Sequence, residues 1–397
     1  MYRYPIALTQ QFRFCGNAFR ADMYKGCDFG CIYCFANSRK GNFKQSVDIA
    51  DFKIVEKTFL SALESDKGPN NLDYELIRHR VPLHLGGMSD PFQPREWKHR
   101  LTYRFLKLTK KYNYPVLIST KCASFPEDYW ELFDPKIHAF QISLISPNEP
   151  FIRLYESKTP SPKHRMNLIR DLKKKGFWVS LRLQPLIDLK EALELVQAIG
   201  SDVNYITVEH LKLSVDDPKT FRYFKTALSH YYRMDQNMRN LELDHLEKLS
   251  NIRLIKSASP VPVGVGDNDW HELSDSRCCC CGIDTINKNF NNWLKYNYTY
   301  FVTGEMKDAP WFPNSPCDYV LNIRGKRGGQ KRIDDWIKTR SGEEVPWVPK
   351  GDCWHIVNSH TRPARLKTIR TVKAFTDYYC EHFQFSLFRK SKGLGLL

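Results

Sequence analysis

Several features of common protein classes are missing from the sequence. It has no apolar run of about 18 residues, the length that spans a bilayer, and its first residues, Met1–Pro5, contain no apolar signal core. It also has no internal repeat and no low-complexity tract. These absences argue against a membrane-spanning, secreted or repeat protein. We therefore expect a cytoplasmic, globular protein with no membrane partner.

The cysteines are not spread as they are in a disulfide scaffold. Of the 12 cysteines in 397 residues, seven fall into two tight groups, at 27/31/34 and at 278–281. A secreted disulfide scaffold is usually short, and its cysteines are distributed through its loops. The grouping instead indicates metal ligation in a reducing compartment.

Acidic residues are also scarce relative to basic ones. The 60 Lys and Arg against 44 Asp and Glu give a formal net charge of +16, and residues 282–397 carry about half of the excess. Such a charge favours a polyanionic partner, with DNA as the leading candidate, and the alternative is a basic protein without such a ligand. Two basic runs, 324–332 and 362–373, have Trp336, Trp347 and Trp354 nearby. They could contact phosphates and stack bases, or form a solvated surface over an aromatic core.

Short β-rich apolar runs alternate with amphipathic helical patterns along the first part of the chain. Strands are predicted at 19–25, 81–86, 115–120, 138–144, 177–184 and 203–209, and helices at 49–64, 94–111, 162–175 and 189–199. This alternation predicts an α/β fold, a partial (β/α)6 TIM-type barrel over residues 1–260. A long polar helix is predicted around 217–249. Residues 261–397 are predicted to form a less regular, basic, Cys-containing C-terminal extension.

The cysteine group in residues 23–37 has the spacing of a cluster site. Cys27, Cys31 and Cys34 can ligate three irons of a [4Fe–4S] cubane, and the loop offers no fourth cysteine of the kind an electron-transfer ferredoxin would supply. The fourth iron would then be open to the amino and carboxylate groups of S-adenosylmethionine. The alternatives are a zinc knuckle or a chance spacing.

This spacing, with the aromatic Tyr33 just before the last cysteine, resembles the radical SAM superfamily, in which that aromatic packs near the adenine of the cofactor. Within the segment 155–165, Glu156 and Arg165 could form a structural pair or contact the cofactor. The resemblance extends over about residues 15–210 to the spore photoproduct lyase-like branch, through the segments 84–96, 118–121, 141–143 and 155–165.

The resemblance implies a role for each matching residue. Backbone carbonyls of Gly86 and Gly87 would accept hydrogen bonds from the methionine amino group, and Ser89 and Lys121 would contact the cofactor's ribose and carboxylate. The alternatives are an ordinary tight turn at the glycines and a solvated lysine at a strand end. A reductant such as flavodoxin or ferredoxin would be needed as a partner.

Two positions depart from that branch. Met88 stands where the branch has a hydrogen-donating cysteine, and Phe35 stands where it has a relay tyrosine. A thioether has no S–H to give, so the branch's repair reaction is disfavoured. Recovery of the hydrogen from 5′-deoxyadenosine would suit an isomerisation. Cys122 could be a substitute donor or simply a buried cysteine.

A second metal site is predicted in the later cysteines. Cys278 and Cys281 have the two-residue gap of a knuckle, and Cys317 and Cys353 could complete it. The site could hold zinc or a second Fe–S cluster, and the alternative is a cysteine turn without metal.

Taken together, the sequence predicts a radical SAM enzyme of the isomerase or lyase type. The favoured substrate is a pyrimidine in DNA, such as a hypermodified thymidine, that is rearranged rather than repaired. The alternatives are spore photoproduct lyase-like DNA repair, modification of a peptide or protein, and a non-enzymatic nucleic-acid-binding metalloprotein.

Overall fold

The structure is a computed structural model, and it describes residues 1–8, 17, 19–38, 48–65, 72–78, 80–214, 224, 232–234, 240–267, 270, 273–276 and 280–290. The chain divides into two compact units. One takes residues 1–60 and 82–290, and the other takes 61–81 and 291–397.

The strands and helices alternate over most of the first unit. The strands are β1 (Ile6–Leu8), β2 (Phe19–Ala21), β3 (Tyr24–Lys25), β4 (Asp48–Ile49), β5 (Leu83–Leu85), β6 (Val116–Thr120), β7 (His138–Ser143), β8 (Trp178–Leu186), β9 (Tyr205–His210), β10 (Lys212–Ser214), β11 (Tyr232–Met234), β12 (Asn240–Leu243) and β13 (Val263–Val265). The helices are α1 (Phe52–Leu63), α2 (Leu72–Arg78), α3 (Glu96–His99), α4 (Leu101–Lys111), α5 (Glu127–Trp130), α6 (Glu149–Tyr155), α7 (Pro162–Lys174), α8 (Leu189–Ile199) and α9 (His245–Ala258).

An eight-stranded sheet forms the centre of the first unit. Its strand order is β1-β2-β5-β6-β7-β8-β9-β13. Every neighbouring pair from β2 to β13 is parallel, and only β1 runs antiparallel to its neighbour β2. Parallel neighbours need crossover connections, and helices supply them between β5 and β9. The predicted α/β class is therefore confirmed.

Helix termini in this unit follow from local capping. The Ser161 side chain accepts a hydrogen bond from the backbone N–H of His164, Pro162 takes the first helical position of α7, and Gly176 follows its end. Asp188 caps α8 in the same way, by accepting from the N–H of Glu191. These signals place the helices that return the chain to the sheet.

The two faces of the central strands differ in chemistry. Successive side chains of a strand point to opposite faces, and residues in register on parallel strands share a face. The register pairs Ser119 with Gln141, Gln141 with Ser180, and Arg182 with Thr207. These residues make one face polar, which we call the polar face. The other face is formed by buried aliphatic and aromatic residues that include Ile118, Phe140, Leu181 and Ile206.

Most of the predicted elements are confirmed, and one is wrong. The region of the predicted helix at 217–249 contains β11 and β12, which form an antiparallel sheet with β10. The polar–apolar alternation of residues 240–243 explains the strand. The prediction also missed β13, which lies beyond residue 260 and pairs with β9. The division at residue 260 and the closure of a barrel remain predictions.

No helix in the described part of the chain is both long and apolar enough to cross a membrane. The predicted extension lies mostly outside the described residues, as do Cys278, Cys317, Cys353 and both basic runs. Cys281 is described, and it is buried.

Candidate active site

The first cysteine group lies in a loop that follows β3. Within this loop the N–H of Cys34 donates to the carbonyl of Cys31 at 3.2 Å, which closes a turn. The N–H of Ile32 donates to the carbonyl of Tyr155 at 3.1 Å, at the end of α6. The loop that holds all three cysteines is thereby attached to the element after β7.

A single side-chain amide fixes the start of this loop. Gln93 is fully buried. Its Oε1 accepts from the N–H of Asp28 at 3.0 Å, and its Nε2 donates to the carbonyl of Gly26 at 3.1 Å. Arg95 adds an ion pair to Asp28 at 2.8 Å. Both neighbours of Cys27 are thus held by the segment that follows β5.

The protein environment keeps the thiols of Cys27 and Cys31 protonated when no metal is bound. Burial raises the pKa of Cys27 to about 12, and the charge of Asp90 raises it further. Burial also raises the pKa of Cys31 strongly, although Lys121 opposes that rise. Cationic iron can displace such protons, since metal ligation requires the thiolate.

The three cysteines supply the kind of ligand that an iron–sulfur cluster takes. Within the described ranges, no group of three or more His, Cys, Asp or Glu could hold one metal ion. In a cubane each cysteine binds a different iron, so the sulfurs need not surround one point. Three thiols from one loop therefore match a [4Fe–4S] cluster in the kind and number of ligands.

The backbone after β5 passes very close to β6. Gly86 has φ +93°, and a Cβ there would lie 2.4 Å from the carbonyl oxygen of Ser119 and 2.9 Å from Pro91 Cδ. Only glycine fits this position. At Gly87 the nearest contacts to such a Cβ are at 3.5 Å, so its position does not demand glycine in the same way.

Two buried aspartates hold the turn that follows. Asp22 accepts from the N–H groups of Met88 and Ser89 at 2.8 and 3.2 Å. Asp90 accepts from Thr120 Oγ1 at 2.8 Å and from the N–H of Lys121 at 2.7 Å. Within the described part of the chain, the buried hydroxyl of Ser89 makes no hydrogen bond. The turn therefore presents a positioned hydroxyl that a ligand could use.

A buried carboxylate, that of Glu156, pairs with two cationic side chains of the site. Glu156 is fully buried and forms ion pairs with Lys121 at 3.1 Å and with Arg165 at 2.8 Å, and it accepts a hydrogen bond from the Tyr33 hydroxyl. Burial opposes its ionisation, but Lys121 and Arg165 outweigh this effect and lower the pKa of Glu156 to about 2. Glu156 and Arg165 thus form a structural pair, and Lys121 already has a carboxylate partner.

A hydrogen-bond network crosses the polar face below this cluster. Ser119 Oγ donates to Gln141 Oε1 at 2.8 Å and lies 2.7 Å from His84 Nε2. Arg182 donates from Nε to Gln184 Oε1 at 2.7 Å and from Nη1 to Ser119 Oγ at 3.4 Å. A buried polar atom without a partner costs about 1–3 kcal/mol, and this face holds three among the described residues: Gln141 Nε2, Ser180 Oγ and Thr207 Oγ1.

No family model matches the chain. Uncharacterized proteins of Mycobacterium bovis and Mycobacterium tuberculosis are 26% identical over 191 residues, which are 46% of this chain and 52% of each relative. The match thus spans about half the length of these relatives.

Solved structures similar to this chain include two radical SAM enzymes. One is spore photoproduct lyase, with a TM-score of 0.45, 14% identity, and coverage of 63% of this chain and 77% of that one. The other is SuiB of Streptococcus suis bound to S-adenosylmethionine, with a TM-score of 0.40, 10% identity, and coverage of 61% and 48%.

The structure also places Phe35 and Met88, the residues that stand where the spore photoproduct lyase-like branch has its hydrogen-donating side chains. Phe35 is 49% exposed, and Met88 is half-buried. The Cys122 thiol is buried and donates to the carbonyl of Ser124 at 2.8 Å, and burial raises its pKa to about 12. Cys122 is therefore a protonated thiol with a hydrogen-bond partner within its own loop.

Two features were not predicted from the sequence: the contacts of Gln93 with the start of the cysteine loop, which we call the Gln93 clamp, and the network on the polar face. The signal of the network was present in the predicted strand 177–184, where Ser180, Arg182 and Gln184 alternate with apolar residues. A hydrophilic residue at every second position of a buried strand indicates a polar face.

Proposed function

We propose that the chain is a radical SAM enzyme built on a partial (β/α)6 barrel. Cys27, Cys31 and Cys34 would hold a [4Fe–4S] cluster with one iron open to S-adenosylmethionine. The observation that carries this proposal is the loop itself, in which three thiols are held between the Gln93 clamp and the end of α6. When bound, and with one electron from a reductant, these groups would supply radical chemistry, the abstraction of hydrogen from the substrate by a 5′-deoxyadenosyl radical.

The surrounding residues would bind and orient the cofactor. The Ser89 hydroxyl, which makes no hydrogen bond among the described residues, suits a ribose, and the carbonyls of the Gly86-Gly87 turn suit an ammonium group. Lys121 would contact the methionine carboxylate from a position fixed by Glu156. Glu156 also accepts a hydrogen bond from the Tyr33 hydroxyl, which would hold the Tyr33 ring in place within the cysteine loop.

We further propose that the substrate is a pyrimidine in DNA and that the reaction is an isomerisation. The net charge of +16 supports a polyanionic substrate. A base in a duplex would have to be flipped out to reach the site. The absence of donors at Met88 and Phe35 supports recovery of hydrogen from 5′-deoxyadenosine. The reductant would be a flavodoxin or a ferredoxin.

The cluster assignment can be tested with two cysteine variants. After anaerobic reconstitution and reduction, Cys31→Ala should form no 5′-deoxyadenosine from S-adenosylmethionine. Cys122→Ala is the matched control, since Cys122 is equally buried and lies next to Lys121 but outside the loop. We expect it to retain cleavage. Equal activity of Cys31→Ala and the unmodified protein would overturn the proposal.

The reaction can be tested by isotope transfer. The reduced enzyme would be incubated with DNA and S-adenosylmethionine in deuterated solvent, and the digested nucleosides would be analysed by mass spectrometry. An isomerase predicts a rearranged nucleoside without solvent deuterium and without net consumption of S-adenosylmethionine. DNA binding should also weaken steeply with salt. Binding that is absent or independent of salt would favour the peptide-modifying alternative.

A further inference from the structure

Arg182 differs from the other cations around the polar face. Each of the others has a carboxylate partner: Lys121 and Arg165 pair with Glu156, Arg20 with Asp22, and Lys212 with Glu209. Arg182 donates only to neutral oxygens, Gln184 Oε1 and Ser119 Oγ. Within the described part of the chain, its charge therefore has no counter-ion.

A second donor on the same face also lacks a partner. Gln141 is fully buried, and its Nε2 makes no hydrogen bond among the described residues. Its Oε1 accepts from Ser119 Oγ, which also accepts from Arg182. The two donors, one cationic and one neutral, thus come from adjacent strands, β7 and β8, and are linked through one hydroxyl.

The chemistry of this pair selects an oxyanion. A guanidinium binds carboxylate or phosphate with charge-assisted hydrogen bonds, and a neutral amide N–H beside it can satisfy a further oxygen. A neutral ligand would leave the charge of Arg182 uncompensated on a face that is largely closed to water.

The position of the pair favours the substrate over the cofactor as the ligand. In the sheet, β8 lies four positions away from β2, the strand that leads into the cysteine loop. The residues assigned to S-adenosylmethionine follow β5 and β6, which lie one and two positions from β2 in the strand order. Gln141 and Arg182 lie on β7 and β8, three and four positions from β2, and are thus further from the cysteine loop in the sheet.

We propose that Arg182 and Gln141 bind a carboxylate or phosphate of the substrate. This inference rests on the proposed function, because it assigns the substrate of the same site. A phosphate would come from the nucleotide backbone, and a carboxylate would come from a substituent on the base. Both sources share the oxyanion that the two donors require.

The test compares nucleosides that differ in one anionic group. Equilibrium binding to the reconstituted protein would be measured for thymidine, thymidine 5′-monophosphate and 5-carboxy-2′-deoxyuridine. In Arg182→Gln, affinity for the anionic probe that uses the site should fall roughly 10- to 100-fold, while thymidine binding changes little. Arg182→Lys should retain part of the preference. Arg170→Gln is the matched control, since Arg170 lies on α7 and pairs with Asp202.

Each outcome decides the assignment. A loss confined to the monophosphate identifies the phosphate as the ligand, and a loss confined to the carboxylated nucleoside identifies the carboxylate. The proposal is overturned if the unmodified protein prefers neither anion, or if Arg182→Gln weakens thymidine equally. It is also overturned if Arg182→Gln binds both anionic nucleosides as the unmodified protein does and loses only the preference for S-adenosylmethionine over decarboxylated S-adenosylmethionine. Thermal unfolding and cluster absorbance of each variant, read separately, show whether the fold and the proposed cluster are intact.

Discussion

Removal of the Glu156 carboxylate should destabilise the protein severely. In Glu156→Gln, Arg165 would keep its bonds to the carbonyl of Ser143 at 2.8 Å and to Thr159 Oγ1 at 3.3 Å, but it would have no counter-ion. Arg165 is fully buried, whereas Lys121 is 14% exposed and can turn towards water. Loss of one partner from a buried pair costs about 3–5 kcal/mol. We expect the free energy of unfolding to fall by that amount.

The measurement is guanidinium-induced unfolding at neutral pH. The matched control is Glu149→Gln, which breaks an exposed Glu–Arg pair with Arg153 on α6. That change should cost no more than about 0.5 kcal/mol. Replacing Glu156 and Arg165 together by Leu and Met should recover part of the loss, since no buried charge then lacks a partner. A loss below about 1 kcal/mol in Glu156→Gln would refute the assignment of a buried ion pair.

Three further predictions concern the parts of the fold that support the site. Gly86→Ala should lower the free energy of unfolding by at least about 2 kcal/mol, because the added Cβ would clash with the Ser119 carbonyl. Gly87→Ala is the control and should lower it little. Equal losses in the two variants would contradict the geometry. Burial lowers the pKa of His138 to about 3, and its Nδ1 accepts from the backbone N–H of Asp134. Between about pH 6.5 and pH 3 the unfolded chain therefore binds one proton more than the folded chain. The free energy of unfolding should fall in that window by up to about 1.4 kcal/mol for each unit by which the pH is lowered. If His138→Phe shows the same dependence of unfolding free energy on pH, this prediction is contradicted. Gln93→Leu should reduce iron retention while far-ultraviolet circular dichroism stays unchanged, and full iron content would show that the clamp is dispensable.

The local patterns of the sequence account well for the parallel part of the sheet. Apolar runs bounded by turn residues predicted β5 to β9, and the Pro162 and Gly176 signals placed α7 correctly. The region after β9 was not predictable in this way. Three-residue strands such as β10 and β13 are too short to show a period, and their pairing depends on partners distant in the chain.

The cysteine loop could be found from spacing alone, but its supports could not. Gln93 lies 65 residues from Asp28, and Glu156 lies 35 residues from Lys121, so no local pattern links them. The sequence suggested a free Lys121 for the cofactor, whereas the structure pairs it with Glu156. Similarly, that Arg182 forms no ion pair with a described residue becomes evident only when the neighbouring strands are in register. These contacts arise from tertiary packing.

The most direct test of the central claim is the composition and spectroscopy of the anaerobically reconstituted protein. An open-iron [4Fe–4S] assignment predicts about four iron and four sulfide per cluster. It also predicts an electron paramagnetic resonance signal of the reduced protein that changes when S-adenosylmethionine is added, and the loss of both in Cys31→Ala but not in Cys122→Ala. A single bound zinc or iron, or a reduced signal that S-adenosylmethionine leaves unchanged, would contradict the assignment of Cys27, Cys31 and Cys34 to an open-iron cluster.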